Sequence, residues 1–443
     1  MRLPIGLSEQ TVRSISQFKN EPQWMLDIRL SAYREFKRLP MSSDDPILGG
    51  IDFNGLCYFD TSTKNPVDRW SKVPTKIKDI YQKIGLPQAE QHYLAGSQAQ
   101  YNSGMVYENL RQKWQDSGII FTDTDTAVQR YPDLVKKYFA QIVDYHNNKL
   151  AALNTAVWSG GSFIYIPPGV RLPIPLQAYF RINISNLGQF EHSLIIVDDE
   201  ASLQYVEGCS APIFNTDSIH NSVVEISVGK RARMRYTAVQ NWSTNVYNLV
   251  TSRMTVAEGG IGEWVDANIG SKITRKCPTI ELNGPTARGD IMSLSTAKSG
   301  QIQDTGGRVI HRASNTSSTI ASKSISNGNG ICTYHGNIIV EQPASNAKSA
   351  TKCDSLLLND NSVSNTFPTS QIRRSDAQIS HEATVGRINQ AQLFYLMSRG
   401  LSQNEAIGLI VGGFVEPITR SLPMEYASEL NKLLDLSVKG AIG

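Results

Sequence analysis

Cysteine is scarce in this chain: five in 443 residues, at positions 57, 209, 277, 332 and 353, none close to another. An odd count without close pairing does not make a disulfide framework and fits a reducing compartment. A charge excess of either sign is also missing. Forty-three Lys and Arg stand against 40 Asp and Glu, a net +3. With no basic arm and no aromatic-basic stripe, nucleic acid is not an expected partner. No apolar run approaches the ~18 residues of a membrane span. The amino terminus, MRLPIGLSEQ, carries a single Arg and no apolar h-region. The reading is a soluble cytoplasmic protein, or a stromal one were the source a plastid-bearing cell. No Gly-rich loop of the nucleotide-binding type exists: GKRAR and GSKIT lack the upstream Gly and the hydroxyl after Lys, and GGIG at 259–262 is no dinucleotide fingerprint. The chain is therefore not expected to hydrolyse ATP itself. Nor is there a cluster of acids such as a β-helical polysaccharide lyase or hydrolase would need.

What is present divides into three textures. At this length a single core is too small, so several domains or an elongated repeat are expected. Residues 1–155 read as a mostly helical domain. One helix is expected to be capped by Asn20, with Pro22 in its first turn and Met25, Ile28, Ala32 and Phe36 inward. A second opens at Tyr131 and Pro132 with Leu134, Tyr138, Ile142 and Tyr145 on one side. The stretch 41–76, rich in Asp, Pro and Gly, should be irregular. From 156 to 388 short β-type runs such as SFIYIP, SLIIVDD, VVEISV and NIIV alternate with polar turns DDEAS, GKRAR, EGGIG and GPTARG, about 27–31 residues apart. That spacing suits a parallel solenoid, although a sandwich would also give many short strands. Residues 389–443 return to helices. Ser402 and Glu405 form a capping box, and Pro423 opens a last helix through Met424, Ala427, Leu430 and Leu434. Such helices are expected to cap an open solenoid end.

The chemistry-bearing candidates are few. In SLQYVEGCS the residues Leu203, Tyr205, Glu207 and Cys209 share one strand face, and by itself Cys209 reads as a buried structural thiol. Cys353, in KCDS, has Asp354 beside it, so neither thiol has an obvious cation to favour its thiolate. Arg181 with Asn183, and Gln240 with Trp242, are i, i+2 pairs. If both face inward they make a polar stripe, either an internal hydrogen-bond ladder or the lining of a passage. Cys332 and His335 (CTYH) resemble half a zinc site, but no second half lies nearby, so bystander status is the reading.

The strings NEPQWMLDIRLSAYR, AALNTAVWSGGSFIYIPPGV, PLQAYFRINISNLGQFEHSLIIVDD, YVEGCSAP, AVQNW, YNLVTSR, SHEATVGRI and LPMEYASELNKLL occur in order over nearly the whole chain. In them the chain resembles the SufB family of the SUF iron–sulfur assembly system. The resemblance implies a mainly β fold, a right-handed parallel β-helix core flanked by amino- and carboxy-terminal helical domains. It implies a non-enzymatic scaffold on which sulfur enters as a persulfide at Cys209 and passes Arg181, Asn183, Gln240 and Trp242. Sulfur then meets iron at Cys353 with Glu382, the favoured donor, or His381, giving a transient Fe–S cluster. Implied partners are a SufC-type ABC ATPase docking at 389–443, SufD or a second SufB copy, and a cysteine desulfurase with its sulfur carrier (SufS with SufE or SufU). Reduced flavin has been linked to such complexes, but no string here would place it. A SufD-like structural paralogue is the rival; such chains typically lack this cysteine pair. Cys57 and Cys277 match no functional position of the family. His192 stands where an Arg is usual and is expected to alter only a surface contact, and His311 reads as structural.

Overall fold

The computed structural model describes residues 1–40, 48–63, 65–83, 93–146 and 148–420. The expected helix around Pro423 lies outside these. α1 (Glu9–Phe18) begins with a capping box between Ser8 and Thr11. α2 (Gln23–Arg38) follows Pro22, which is its cap position and lies outside the first turn. Asn20 does not cap α2: its φ of +51° makes it the left-handed residue that closes α1. Met25, Ala32 and Phe36 are buried as expected, and so is Arg29. Its guanidinium is held by Glu21 at 2.6 and 2.7 Å and by the carbonyls of Ala156 and Trp158 at 3.2 and 3.0 Å, so the buried charge has its partners.

Strands and helices then interleave: α3 (Thr75–Lys83), β1 (Gly96–Tyr101), β2 (Gly104–Leu110), α4 (Gln112–Gln115), β3 (Ile120–Asp123), α5 (Thr124–Arg130), α6 (Pro132–Tyr138) and α7 (Lys149–Val157). The single helix expected at Tyr131 is two short ones. Tyr131 (φ −132°, ψ 50°) breaks them apart, and left-handed Ala140 ends the run, leaving Ile142 and Tyr145 off the helix. The three strands had no apolar alternation to reveal them: Ser97, Gln98 and Gln100 of β1 are completely buried polar residues.

The core is a parallel β-solenoid. Its strands are β4 (Ser162–Ile166), β5 (Leu176–Arg181), β6 (Gly188–Val197), β7 (Ser202–Ser210), β8 (Ser218–Val228), β9 (Arg233–Trp242), β10 (Val246–Val256) and β11 (Ile261–Gly270). There follow β12 (Ile273–Lys276), β13 (Thr279–Leu282), β14 (Arg288–Ala297), β15 (Ile302–His311), β16 (Ser317–Ser326), β17 (Ile331–Val340), β18 (Lys348–Leu357), β19 (Val363–Ile372) and β20 (Gln378–Arg387). One sheet runs β2-β1-β5-β7-β9-β11-β14-β16-β18-β20. The other runs β19-β17-β15-β12-β10-β8-β6-β4-β3, with β13 extending the β12 layer. Residues stacked on Ser202 in successive coils are Arg233, Ile261, Arg288, Ser317, Lys348 and Gln378, which is the 27–31-residue spacing seen in the turns. Each such turn contains one left-handed residue, Glu200, Arg231, Gly259 and Thr286 in the four expected turns, then Asn315 and Asn346. This column of positive φ is what forces the chain to reverse at each corner.

Burial changes along the axis. β6 is buried at every position, because α5 and α7 cover its outer face while the solenoid core covers the inner one. β17 alternates strictly, and β19 and β20 are exposed at almost every residue. The antiparallel additions β2 and β3 close the first end. At the other end Phe367, Ile372 and Val385 stand in solvent. The carboxy-terminal helices α8 (Gln390–Ser398) and α9 (Gln403–Thr419) do not cap this end, contrary to expectation. They pack Leu393, Ala406, Val411, Val415 and Ile418 against the outer face of one sheet, over Val239, Val265 and Leu294. That face offers an aliphatic stripe, which the end coil lacks. The Ser402–Glu405 capping box is present.

His311 on β15 is buried, with Nδ1 at 2.8 Å from the Thr316 hydroxyl and Nε2 at 3.0 Å from Ser318. Burial pushes its pKa down to about 4, so the folded ring stays neutral where the unfolded one would take up a proton. Its contribution to stability is complete above about pH 6.5 and is lost as pH falls towards 4. His311→Gln should flatten the acid limb of the stability profile by roughly 1–3 kcal/mol. Urea titrations at pH 4.5 and 7.5 measure this, and an unchanged acid limb would contradict it.

Candidate functional site

Cys209 lies on β7 facing the solenoid interior, 1% exposed, with Phe180 stacked on one side and Gln240 on the other. The column continues through Asn268, Ser295, Ser324 and Ser355. The next inward column runs Glu207, Ala238, Asp266, Ser293, Ser322 and Cys353. The two thiols therefore line one lumen, five strand steps apart along the sheet order, or roughly 24 Å at ~4.8 Å per step. The facing sheet adds Glu191, His220, Asn248, Thr274, Gln303 and Lys276, all buried. Beside these columns the outward positions Val206, Val239, Ala267, Leu294 and Ile325 are aliphatic, while nearer the strand starts the interior is apolar, with Leu203, Tyr205, Met234, Tyr236 and Trp264.

Part of the stripe is a closed hydrogen-bond ladder. Gln240 Oε1 accepts from Trp242 Nε1 at 3.3 Å and from Asn248 Nδ2 at 2.5 Å. Asp266 accepts from Ser293 at 2.7 Å, Asn268 at 3.1 Å and Trp264 at 3.3 Å, and faces the Lys276 ammonium at 3.2 Å. The rest is open. Gln189 Oε1, Glu191 Oε2, Glu207 Oε2, Asn268 Oδ1, Gln303 Oε1 and Thr351 Oγ1 are buried without a hydrogen-bond partner. An aliphatic core would not tolerate this, at ~1–3 kcal/mol for each such group. Water or a polar passenger in the lumen removes the cost.

Electrostatics hold both thiols in their neutral form. Burial, then the Glu207 and Glu191 carboxylates, push Cys209 well above the ordinary thiol range, with Lys276 pulling the other way. Burial, then Asp354, push Cys353 up to about 12. Glu207 itself is pushed up to about 7 by burial and by Glu191. A thiolate in this lumen therefore needs a counter-charge, from a metal or a cation, to form.

Of the two polar pairs, only Gln240 and Trp242 face the lumen. Arg181 leaves its strand opposite Phe180: its Nη1 donates to Ser210 at 2.9 Å, and its Nε is buried without a partner. Asn183 donates to the Tyr101 hydroxyl at 2.5 Å, beside the residues that pack on the outside of β5. The condition that both pairs point inward is not met, because β5 places Leu176, Ala178 and Phe180 inside. At the far end His381 lies on the same face of β20 as Ala383, which is stacked on Cys353, and its ring lies against Gly336. Glu382 points to the outer face, 65% exposed, 3.4 Å from Lys352. Cys332 is buried and inward, and His335 is outward, bonded to Asp304 at 2.7 Å, so CTYH forms no joint site. His192 is fully buried, so the expected surface contact is wrong. Glu191, His220, Asn248, Asp266 and Lys276 were not singled out from sequence. The available signal was polar residues at alternate positions within strands, as in GQFEHS and SIHNS, which by itself looks like a solvated face.

Residues 180–414 match the family described as SUF system FeS cluster assembly, SufBD core domain, and residues 90–178 match the SufBD protein N-terminal region. An iron–sulfur cluster assembly SufBD family protein of Staphylococcus aureus (strain USA300) is 50% identical over 438 residues, covering 99% of this chain and 94% of that protein. A protein of the same description from Staphylococcus saprophyticus is 49% identical over 438 residues, with the same coverage. Among the described residues no helix is long and apolar enough to cross a membrane.

Proposed function

The chain belongs to the SufBD family of iron–sulfur cluster assembly proteins, and from that premise we propose that it is the SufB-type scaffold, receiving sulfur at Cys209 and building a cluster at Cys353. The observation that carries this reading is the lumen: two inward thiols joined by buried polar columns with unsatisfied groups along them. In the proposed transfer the Cys209 thiolate attacks the outer sulfur of a carrier persulfide. The carrier's S–S bond breaks, its cysteine leaves as a thiolate, and the sulfane sulfur stays on Cys209. The end of β7 runs into the loop 211–217, where Ile213 is 77% exposed, and this is the approach proposed for a sulfur carrier. Gln240 and Trp242 serve as lining. Arg181 and Asn183 act from outside the lumen, through Ser210 next to Cys209 and through Tyr101.

Cys353 sits one coil inside an end that, among the described residues, carries no cap and leaves an edge of β19 and of β20 unpaired, the natural seam for a second subunit, SufD or another copy. Glu382 remains the proposed carboxylate donor. Its pairing with Lys352 is an exposed one of little strength, which leaves the carboxylate free to swing around the edge of β20. His381 takes the lumen side. Residues 389–443 are the proposed dock of a SufC-type ATPase, supported by Phe394, Tyr395 and Leu409, which α8 and α9 leave in solvent.

The test separates sulfur delivery from cluster chemistry. Cys209→Ser should lower assembly driven by a desulfurase and persulfide carrier by at least about tenfold while reconstitution with ferrous iron and free sulfide stays near wild type. Anaerobic visible absorption and acid-labile sulfide report both arms. Equal loss in the two arms, with a normal circular dichroism spectrum, would refute Cys209 as the port.

A further inference from the structure

Next to Cys209 the side chains of Glu191 on β6 and His220 on β8 converge, and their ligand atoms with Sγ all lie within 4.8 Å of one another. Glu207 Oε1 is 3.7 Å from Sγ. All four residues are at most 1% exposed. We propose that Glu191, Cys209 and His220, with Glu207 as a fourth donor, form a buried four-coordinate site for a divalent transition metal of the zinc class.

The hydrogen-bond network fixes the tautomer that makes this a ligand set. An indole N–H can only donate, so the atom of Gln240 facing Trp242 Nε1 is the oxygen. The Asn248 atom facing that oxygen is then its nitrogen, and Asn248 presents its carbonyl oxygen to His220 Nδ1 at 2.8 Å. His220 Nδ1 therefore carries a proton, and Nε2 is left aimed at Glu191 Oε1 in a close contact. A bare nitrogen lone pair against a carboxylate repels. Either a proton or a metal cation must lie between them, and a second-shell amide holding Nδ1–H is the usual companion of a metal-bound imidazole.

A second Asn–His–Glu set, with its His on β6, its Glu on β8 and its Asn on α7, shows what the arrangement looks like when its role is structural. Asn154 Oδ1 faces His192 Nδ1 at 3.0 Å, and His192 Nε2 meets Glu225 at 2.8 Å. There the carboxylate is satisfied completely, accepting also from the backbone N–H groups of Ala140, Ile142 and Val143 at 2.6–2.8 Å. Glu191 receives no such bonds: its Oε2 is buried without a partner, as is Oε2 of Glu207. Two orphaned carboxylate oxygens beside a thiol and an oriented imidazole give one S, one N and two O donors, a set suited to tetrahedral Zn²⁺ or Co²⁺ and poor for Mg²⁺ or Ca²⁺. Donors at ~2.0–2.3 Å from one tetrahedral ion stand about 3.3–3.8 Å apart, so the Cys209 sulfur closes by up to about 1 Å while His220 Nε2 and Glu191 Oε1 move apart to admit the ion between them. Metal entry displaces the Cys209 proton and the one shared by His220 and Glu191 to solvent, and the cation replaces them. If sulfur enters at Cys209, a consequence that rests on the function proposed above, metal occupancy and sulfur acceptance exclude each other.

The test reads binding alone, so it stands or falls separately from sulfur transfer. Full-length apo-protein carrying Cys353→Ser, which removes the other lumen thiol placed at a metal site, is titrated anaerobically with Co²⁺. One equivalent should give intense tetrahedral d–d bands and a thiolate-to-cobalt band, both bleached by Zn²⁺. Adding Cys209→Ser should remove the thiolate band, and His220→Asn or Glu191→Gln should weaken binding by about 10–100-fold. Zinc X-ray absorption of the same Cys353→Ser protein, which needs no substitution within the site, should show one sulfur scatterer and three N/O. Weak octahedral bands, an unchanged thiolate band after Cys209→Ser, or a zinc shell without sulfur overturns the proposal.

Discussion

Replacing Cys353 by serine is expected to abolish cluster formation, cutting iron–sulfur absorbance by roughly tenfold or more in both carrier-driven and sulfide-driven assembly. Thiolate is the soft donor that iron–sulfur clusters require, and hydroxyl does not substitute. Iron must displace a proton from a thiol whose pKa is pushed up to about 12, so wild-type loading should rise from pH 6.5 to 8.5. Serine is near-isosteric at a 3%-exposed site, which keeps the fold and makes a loss chemical in origin. In the same assay Glu382→Ala should lower iron content more than His381→Ala. The reverse order would seat the metal inside the lumen rather than at the edge of β20. Clusters forming normally in Cys353→Ser would refute its ligand role.

The largest stability effect should come from Lys276→Met. Lys276 and Asp266 are each 1% exposed, 3.2 Å apart, and the ammonium makes no aligned hydrogen bond. Methionine keeps most of the volume but leaves the Asp266 carboxylate buried without its counter-ion, a loss of ~3–5 kcal/mol. Adding Asp266→Asn removes the stranded charge and should recover most of that loss. Denaturant midpoints of the two variants and wild type close the comparison. A single-variant loss under about 1 kcal/mol would mean that lumen water already screens the pair.

Much of the fold was legible because it rests on local chemistry. The turns DDEAS, GKRAR, EGGIG and GPTARG announced a column of left-handed residues, and their 27–31-residue spacing is the length of one coil. The β-type runs between them coincide with strands. Where the local signal was absent, reading failed: β1 buries Ser97, Gln98 and Gln100, and α5 and α6 are split at Tyr131 by a backbone conformation that helical periodicity does not report. Asn20 has the composition of a cap, but it sits at the end of one helix instead of the start of the next.

Covalent order was enough to determine a repeating β chain with helical flanks, two isolated thiols in EGC and KCDS, and family membership carried by strings over nearly the whole length. Two-residue alternation placed Glu207 with Cys209 on one face, since strand geometry is local. It could not say that Cys209 and Cys353 share a lumen, that Arg181 points away from it, or that Glu191 and His220 meet beside Cys209. Those contacts join residues that are neighbours only after the coils stack, and stacking register is set by the summed packing of whole strands. Polar side chains at alternate positions look the same whether they face water or an enclosed channel, so only the closed tube decides which.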